Sequence, residues 1–251
     1  MDDGLGAIVD DLEAEQVVLQ SLLRDLDPDD WFRPTPAWSW DVRDSIAHLA
    51  DVDELALDTM DDGPRSLPKV SATSASSADV TFKGVLRGRR RSGAEVLAWW
   101  EESAAVIRDA LRAIDPSTRV PWGIGMRAPS LATARLMETW AHGLDVYAAV
   151  GVEPVDTDRL RHVAWLATRA LPYAYTVAGR EPPNDPVRVE LTLPGGGEWS
   201  LGPADAANRI TGPAGEYCRV FVQRLPARDA PGVVAEGDAA RDALAVARAY
   251  L

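Results

Sequence analysis

Cysteine is almost missing from this 251-residue chain: there is one, Cys218. A lone thiol cannot close an internal disulfide and leaves no Cys-rich metal motif. That fits a reducing compartment. Cys218 sits between Tyr217 and Arg219 in an apolar stretch and reads as a small buried hydrophobe rather than a nucleophile. Long hydrophobic runs are also missing. No stretch reaches the roughly 18 apolar residues that cross a bilayer, so no membrane-spanning helix is expected. The start, Met1-Asp2-Asp3-Gly4, is acidic, where a secretory signal needs a basic start and then an apolar run. The expectation is a cytoplasmic protein. Positive charge is in deficit: 26 Lys and Arg against 39 Asp and Glu give a net charge of −13. That argues against nucleic acid and anionic membranes as partners. The one basic cluster, Arg87-Gly88-Arg89-Arg90-Arg91, lies beside Gly and Ser and reads as a solvated loop. Histidine is scarce too, with three in the chain: His48, His142 and His162.

What is present suffices for a packed core: 46% of residues are hydrophobic and 26% charged. The length allows two domains of ordinary size. Ile8, Leu12, Val18, Leu19, Leu22, Leu23 and Leu26 recur at helical spacing and predict a helix over 5–26. A Pro/Trp segment with Trp31, Pro34, Pro36, Trp38 and Trp40 follows and should pack on the helices. Asp41 is the expected N-cap of a second helix reaching Met60. Residues 63–91, rich in Ser, Gly, Pro and Arg, read as a long loop. Ser92 with Glu95 forms a capping box for a third helix to about Ile114. A turn-rich connector over Val120–Met126 leads to a fourth helix from Ser130 to Val150, stopped by Gly151. These four helices suggest a four-helix bundle. Beyond Gly151 the pattern changes. A helix is expected over Asp158–Val177, a half-buried strand over Val187–Leu193, a hairpin partner at Glu198–Leu201 and a short strand at Arg209–Thr211. Helices over Gly215–Gln223 and Ala239–Tyr250 follow. The predicted class is α+β, with a four-helix bundle over 1–152 and a small α+β domain over 153–251.

Glu138 and His142 stand four apart, on one face of the fourth helix and one turn from each other. Imidazole nitrogen and carboxylate oxygen both suit zinc, and a catalytic zinc uses three protein ligands plus an open position. The third ligand must come from another helix, and His48 lies midway along the second. Periodicity alone also fits a different reading, and favours it. Arg135, Glu138, His142 and Asp145 gather on one side and Leu136, Trp140, Leu144 and Tyr147 on the other, as on an ordinary amphipathic helix with a wet face. His162, in the second domain, reads as a surface histidine rather than a fourth ligand. Trp38, Trp40 and Trp122 read as core filling before pocket lining.

The stretch Trp40-Asp41-Val42-Arg43-Asp44-Ser45-Ile46-Ala47-His48-Leu49 resembles the W-x-V-x-D-x-x-x-H-L motif of the DinB-like superfamily. Residues Arg135–Val146 resemble the E-x-x-x-H-x-x-D segment of its mycothiol-dependent maleylpyruvate isomerase branch. The resemblance implies that His48, Glu138 and His142 bind zinc or another divalent metal inside the bundle. Asp145 is then a candidate to accept a hydrogen bond from a ligand imidazole. Asp44, one turn before His48, is a second candidate. The segment from Gly212 to Arg224 is similar to the one in which those isomerases carry an arginine near the active site. Arg224 is the matching position, with Arg219 as its rival for holding a substrate carboxylate.

The function implied is a metal-dependent enzyme that uses a low-molecular-weight thiol such as mycothiol, in isomerisation or S-transfer on a small carboxylate-bearing substrate. The partners expected are that substrate and thiol, in a monomer or homodimer. Two alternatives stay open at this point. One is a metal-dependent hydrolase or lyase with a metal-bound water. The other is a non-catalytic metal- or ligand-binding protein.

Overall fold

The computed structural model describes residues 4–37, 39–123 and 125–249. It divides into two compact units that meet at Pro154 and Val155. The first unit is helical. Its long helices are α1 (Leu5–Arg24), α2 (Val42–Met60), α5 (Gly93–Ala113) and α6 (Ala128–Val150), with α3 (Leu67–Ala72) and α4 (Ser77–Gly88) between α2 and α5. Helix α1 packs on α5 and α6, and α2 packs on the same two, which closes a four-helix bundle.

Local chemistry sets the helix ends. The Asp41 carboxylate accepts the Asp44 backbone N–H at 2.7 Å, and the Asp44 side chain answers it in a capping box. Ser92 and Glu95 do the same for α5. Gly151 ends α6 in the left-handed conformation that glycine adopts without strain. Between the helices, Leu19, Leu23, Val42, Ile46, Leu49, Val96, Trp100 and Val146 form a buried apolar cluster. Trp31, from the Pro/Trp segment, is buried in it. The connector before α6 is a small antiparallel pair, β1 (Arg119–Val120) with β2 (Met126–Arg127).

The stretch expected to be a loop, residues 63–91, holds α3 and α4 instead. Ser76 caps α4. Among its larger apolar side chains Val85 is buried, while Phe82 and Leu86 are exposed, so hydrophobic periodicity gave little sign of it. What docks α4 is small residues and charge. A Cβ on Gly88 would overlap the Ala47 side chain, and one on Gly84 would overlap the Asp51 carboxylate, so α4 lies very close to α2. The basic cluster is engaged, against the expectation of a solvated loop. Arg87 pairs with Asp51 and Glu54, Arg89 with Asp44, and Arg87 and Arg91 both stack over Trp99. Gly88→Val is therefore expected to push α4 off α2. Urea unfolding should show a loss of about 1–3 kcal/mol, the usual scale for overpacking.

The second unit contains α7 (Leu160–Arg169), α8 (Leu171–Val177), β3 (Val187–Thr192), β4 (Glu198–Leu201), β5 (Asn208–Pro213), α9 (Ala214–Phe221), β6 (Val234–Glu236) and α10 (Asp238–Ala245). The strand order is β4-β3-β5-β6, with β3 and β5 parallel and the other pairs antiparallel. The single helix expected over 158–177 is broken at Ala170, and Pro172 opens the second piece. Strand β6 has only three residues, and no sequence signal marked it. No helix among the described residues is long and apolar enough to cross a membrane.

Candidate metal centre

His48 lies on α2 and Glu138 and His142 on α6, the neighbouring helix in the bundle. Glu138 Oε2 is 3.5 Å from His48 Nε2 and 3.4 Å from His142 Nε2. One potential ligand atom from each of the three lies within 4.8 Å of the other two. Among the described residues this is the one group of His, Cys, Asp or Glu so placed.

Three observations fit a metal ion. First, Glu138 Oε2 is buried and has no hydrogen-bond partner, and an isolated buried carboxylate oxygen is costly. Second, its distances to the imidazoles are long for hydrogen bonds, yet they match the spacing of about 3.4 Å between ligands placed about 2.1 Å from a tetrahedral ion. Third, two imidazoles and a carboxylate are the donor set that divalent zinc accepts. The charge states agree. Burial pushes the His48 imidazole below its ordinary value, so it is neutral and its nitrogen can donate to a metal. Burial opposes ionisation of Glu138, but the adjacent His142 and His48 outweigh it and hold the carboxyl well below the usual carboxylate range. The site thus presents a carboxylate and a neutral imidazole at neutral pH.

The surroundings orient the ligands. Asp145 Oδ2 is 3.3 Å from His142 Nδ1, one helical turn on, and Asp145 is 1% exposed. A carboxylate there favours the tautomer that leaves Nε2 facing Glu138. Trp40, half-buried just before α2, has its ring centroid 5.1 Å from that of His48 and 5.6 Å from that of His142. It borders the site rather than filling the core. Trp122 is half-buried in the β1–β2 connection, and Trp38 falls outside the described residues. Asp44 caps α2 and pairs with Arg89, so it serves the helix end rather than an imidazole.

The wet-face reading of α6 is overturned. Arg135, His142 and Asp145 are 2%, 5% and 1% exposed, and Leu136, Trp140 and Leu144 are buried as well. The helix is enclosed on both faces because α1 and α2 both pack on it. The polar stripe points to partners on another helix, which periodicity cannot reveal. Asp53 on α2 is the one that sequence reasoning missed: its carboxylate accepts from Arg135 Nε at 2.8 Å.

The remaining candidates lie in the second unit. Arg219 makes two hydrogen bonds to the Asp156 carboxylate, at 2.5 and 3.0 Å. Arg224 follows Gln223, which holds a left-handed backbone at φ 60°, and its Nη1 donates to the Val222 carbonyl at 2.7 Å. His162 is fully buried, not at the surface as expected. Cys218 is buried, its thiol is 3.6 Å from the Leu160 carbonyl, and burial pushes its pKa well up. It is the inert core thiol that the sequence suggested.

Residues 12–147 match the family described as the mycothiol maleylpyruvate isomerase N-terminal domain. The chain is 39% identical over 246 residues to an uncharacterized protein of Mycobacterium tuberculosis strain H37Rv, covering 98% of this chain and 95% of that one. The counterpart in strain CDC 1551 / Oshkosh gives the same figures. Among solved structures, the crystal structure of the mycothiol-dependent maleylpyruvate isomerase is similar with a TM-score of 0.61 at 18% identity, over 93% of each chain. A histidine-to-alanine mutant of that isomerase gives 0.57 at 17% identity, again over 93% of each. This likeness extends the shared fold beyond the matched N-terminal region.

Proposed function

The chain belongs to the mycothiol maleylpyruvate isomerase N-terminal domain family, and from that premise we propose that it is a metal-dependent enzyme using a low-molecular-weight thiol. The reaction proposed is cis–trans isomerisation, or the related S-transfer, on a small unsaturated carboxylic acid. The observation that carries this reading is the trio of buried His48 and His142 with half-buried Glu138, whose unpaired carboxylate oxygen and spacing suit a divalent ion. Zinc is the ion the donor set fits best. When bound, it would supply the positive charge that keeps a thiol ionised at neutral pH.

The chain's own residues do the rest. His48 offers a neutral nitrogen and Glu138 a negative charge, so a divalent ion held by the trio would keep net positive charge for an incoming thiolate. Asp145 holds the His142 ring in the tautomer required. Trp40 covers the two imidazoles and limits water beside them. The nucleophile comes from outside the chain, since its only thiol is buried in the second unit and held protonated. Addition of the external thiolate sulfur to one alkene carbon leaves a single bond free to rotate. Loss of the same thiolate restores the double bond in the trans form, so the thiol is not consumed.

Arg224 is proposed to hold the substrate carboxylate, and Arg219 to be structural. Support comes from the Asp156 carboxylate that holds Arg219 through two hydrogen bonds, and from the spacing after Gly212 that matches Arg224 to the family's arginine. Arg224→Ala is expected to raise KM by about 10–100-fold, the worth of one charge-assisted pair, with unfolding unchanged. Arg219→Ala should instead lower the melting temperature and leave KM nearly unaltered. Steady-state kinetics and calorimetry on the two variants check both.

The direct test supplies maleylpyruvate with mycothiol and follows formation of the trans isomer. Isomerisation that needs both protein and thiol supports the proposal. Turnover of an ester or amide panel without any thiol would favour a hydrolase instead.

A further inference from the structure

A buried ion pair of the first unit lies beside the trio and is not part of it. Asp53 and Arg135 have side chains only 1% and 3% exposed. The pair joins α2 to α6, the two helices that carry the candidate ligands. Arg135 Nε donates to Asp53 Oδ1 at 2.8 Å, and its Nη2 points at the Leu49 carbonyl at 3.5 Å. Leu49 follows His48 directly, and Arg135 precedes Glu138 by one turn. Further along α6, the Thr139 hydroxyl donates to the Arg135 carbonyl at 2.9 Å.

A buried ion pair is a poor device for stability. Removing two charges from water is expensive, and apolar residues of similar volume often hold a core as well or better. Here the pair is also incompletely satisfied. Asp53 Oδ2 is buried without a close hydrogen bond, and burial pushes the carboxyl up against the pull of Arg135, with Arg108 and the Trp100 indole as weaker favourable neighbours. What the pair does supply is direction. A planar guanidinium that bonds a carboxylate on one side and reaches a backbone carbonyl on the other resists both sliding and rotation of the helix it grows from. Apolar packing of α6 on α2 resists such motion much less. The trio needs that restraint, because its donors come from two helices and must meet within a few tenths of an ångström.

We propose that Asp53 and Arg135 form a buried clamp that fixes the register of α6 against α2 and so positions Glu138 and His142 against His48 for metal binding. They are positioning residues and touch neither metal nor substrate. The inference rests on the metal-centre reading above.

The test uses cobalt(II) as the probe, since its visible absorption reports coordination number and geometry. The full chain would be titrated with cobalt(II) as wild type, as Asp53→Leu/Arg135→Met and as Arg135→Lys. Thermal unfolding of each metal-free protein monitors the fold. The apolar double variant is expected to be as stable as wild type without metal. Its cobalt affinity should be about 10–100-fold weaker, the range seen when groups supporting ligands are removed. Its spectrum should weaken and shift toward higher coordination. Arg135→Lys, which keeps the charge but not the fork, should show a smaller change of the same kind. It carries the test alone if the double variant does not fold. Folded variants with wild-type affinity and spectrum overturn the clamp while leaving the metal centre standing. A wild-type protein that takes up no cobalt overturns the metal centre and the clamp together.

Discussion

Replacing His48 or His142 with alanine will remove the bound metal and the thiol-dependent turnover together, while the helical fold stays. Each substitution takes away one of three donors. Loss of a mere supporting group lowers metal affinity about 10–100-fold, so loss of a donor should exceed 100-fold. The fold should survive because the apolar cluster around Trp100, Ile46 and Leu49 does not include the trio. Circular dichroism should be unchanged. Zinc at about 100 times its Kd stabilises a native protein by about 2.7 kcal/mol. In a chain of this size that is a rise in Tm of roughly 5–11 °C, expected for wild type and absent from both variants. The pH dependence has a defined sign. Burial lowers the His48 pKa below 6.5, so the folded state resists protonation there while the unfolded chain takes up the proton. Metal-free protein should therefore lose stability as the pH falls below about 6.5. Metal binding should persist below that point until His48 itself protonates. A variant that loses metal yet keeps full turnover would separate the site from the chemistry.

Activity will vanish without an added thiol, and Cys218→Ala will turn over as fast as wild type. The reason is the placement of Cys218. It is fully buried in the second unit and its pKa is pushed well above the ordinary thiol value. A thiolate is the nucleophile in thiol additions, and this thiol is held protonated. Assays with mycothiol, with another small thiol and with none measure the dependence directly. Substantial rates in the thiol-free arm would point to water as the nucleophile. A large loss in Cys218→Ala with an unchanged melting curve would make the internal thiol a participant and overturn the reading.

Much of the first unit was legible because short-range chemistry marks it. The Asp41 cap, the Ser92–Glu95 capping box and the Gly151 stop each depend on a few adjacent residues, and all three stand where expected. The i, i+4 spacing of Glu138 and His142 placed those two side chains together on any helix. Their pairing with His48 came from resemblance, because no local rule says which helix faces which. The enclosure of α6 was hidden for a related reason. Arg135 and Asp145 look like solvent residues until Asp53 on α2 and the packing of α1 and α2 are known. Helix α4 was missed because it docks through Gly84 and Gly88 and through arginine–carboxylate pairs, which carry no hydrophobic period. In the second unit, β3 was visible by alternation and β4 as its partner across the 194–197 turn, whereas β6 gains its place only by pairing with β5.

Elemental analysis of protein purified without a chelating tag and without added metal tests the central claim most directly. About one divalent ion per chain is expected, lost in His48→Ala and in His142→Ala. A protein that carries no metal, even after incubation with zinc and removal of the excess, would contradict the metal centre and leave the buried Glu138 oxygen without an explanation.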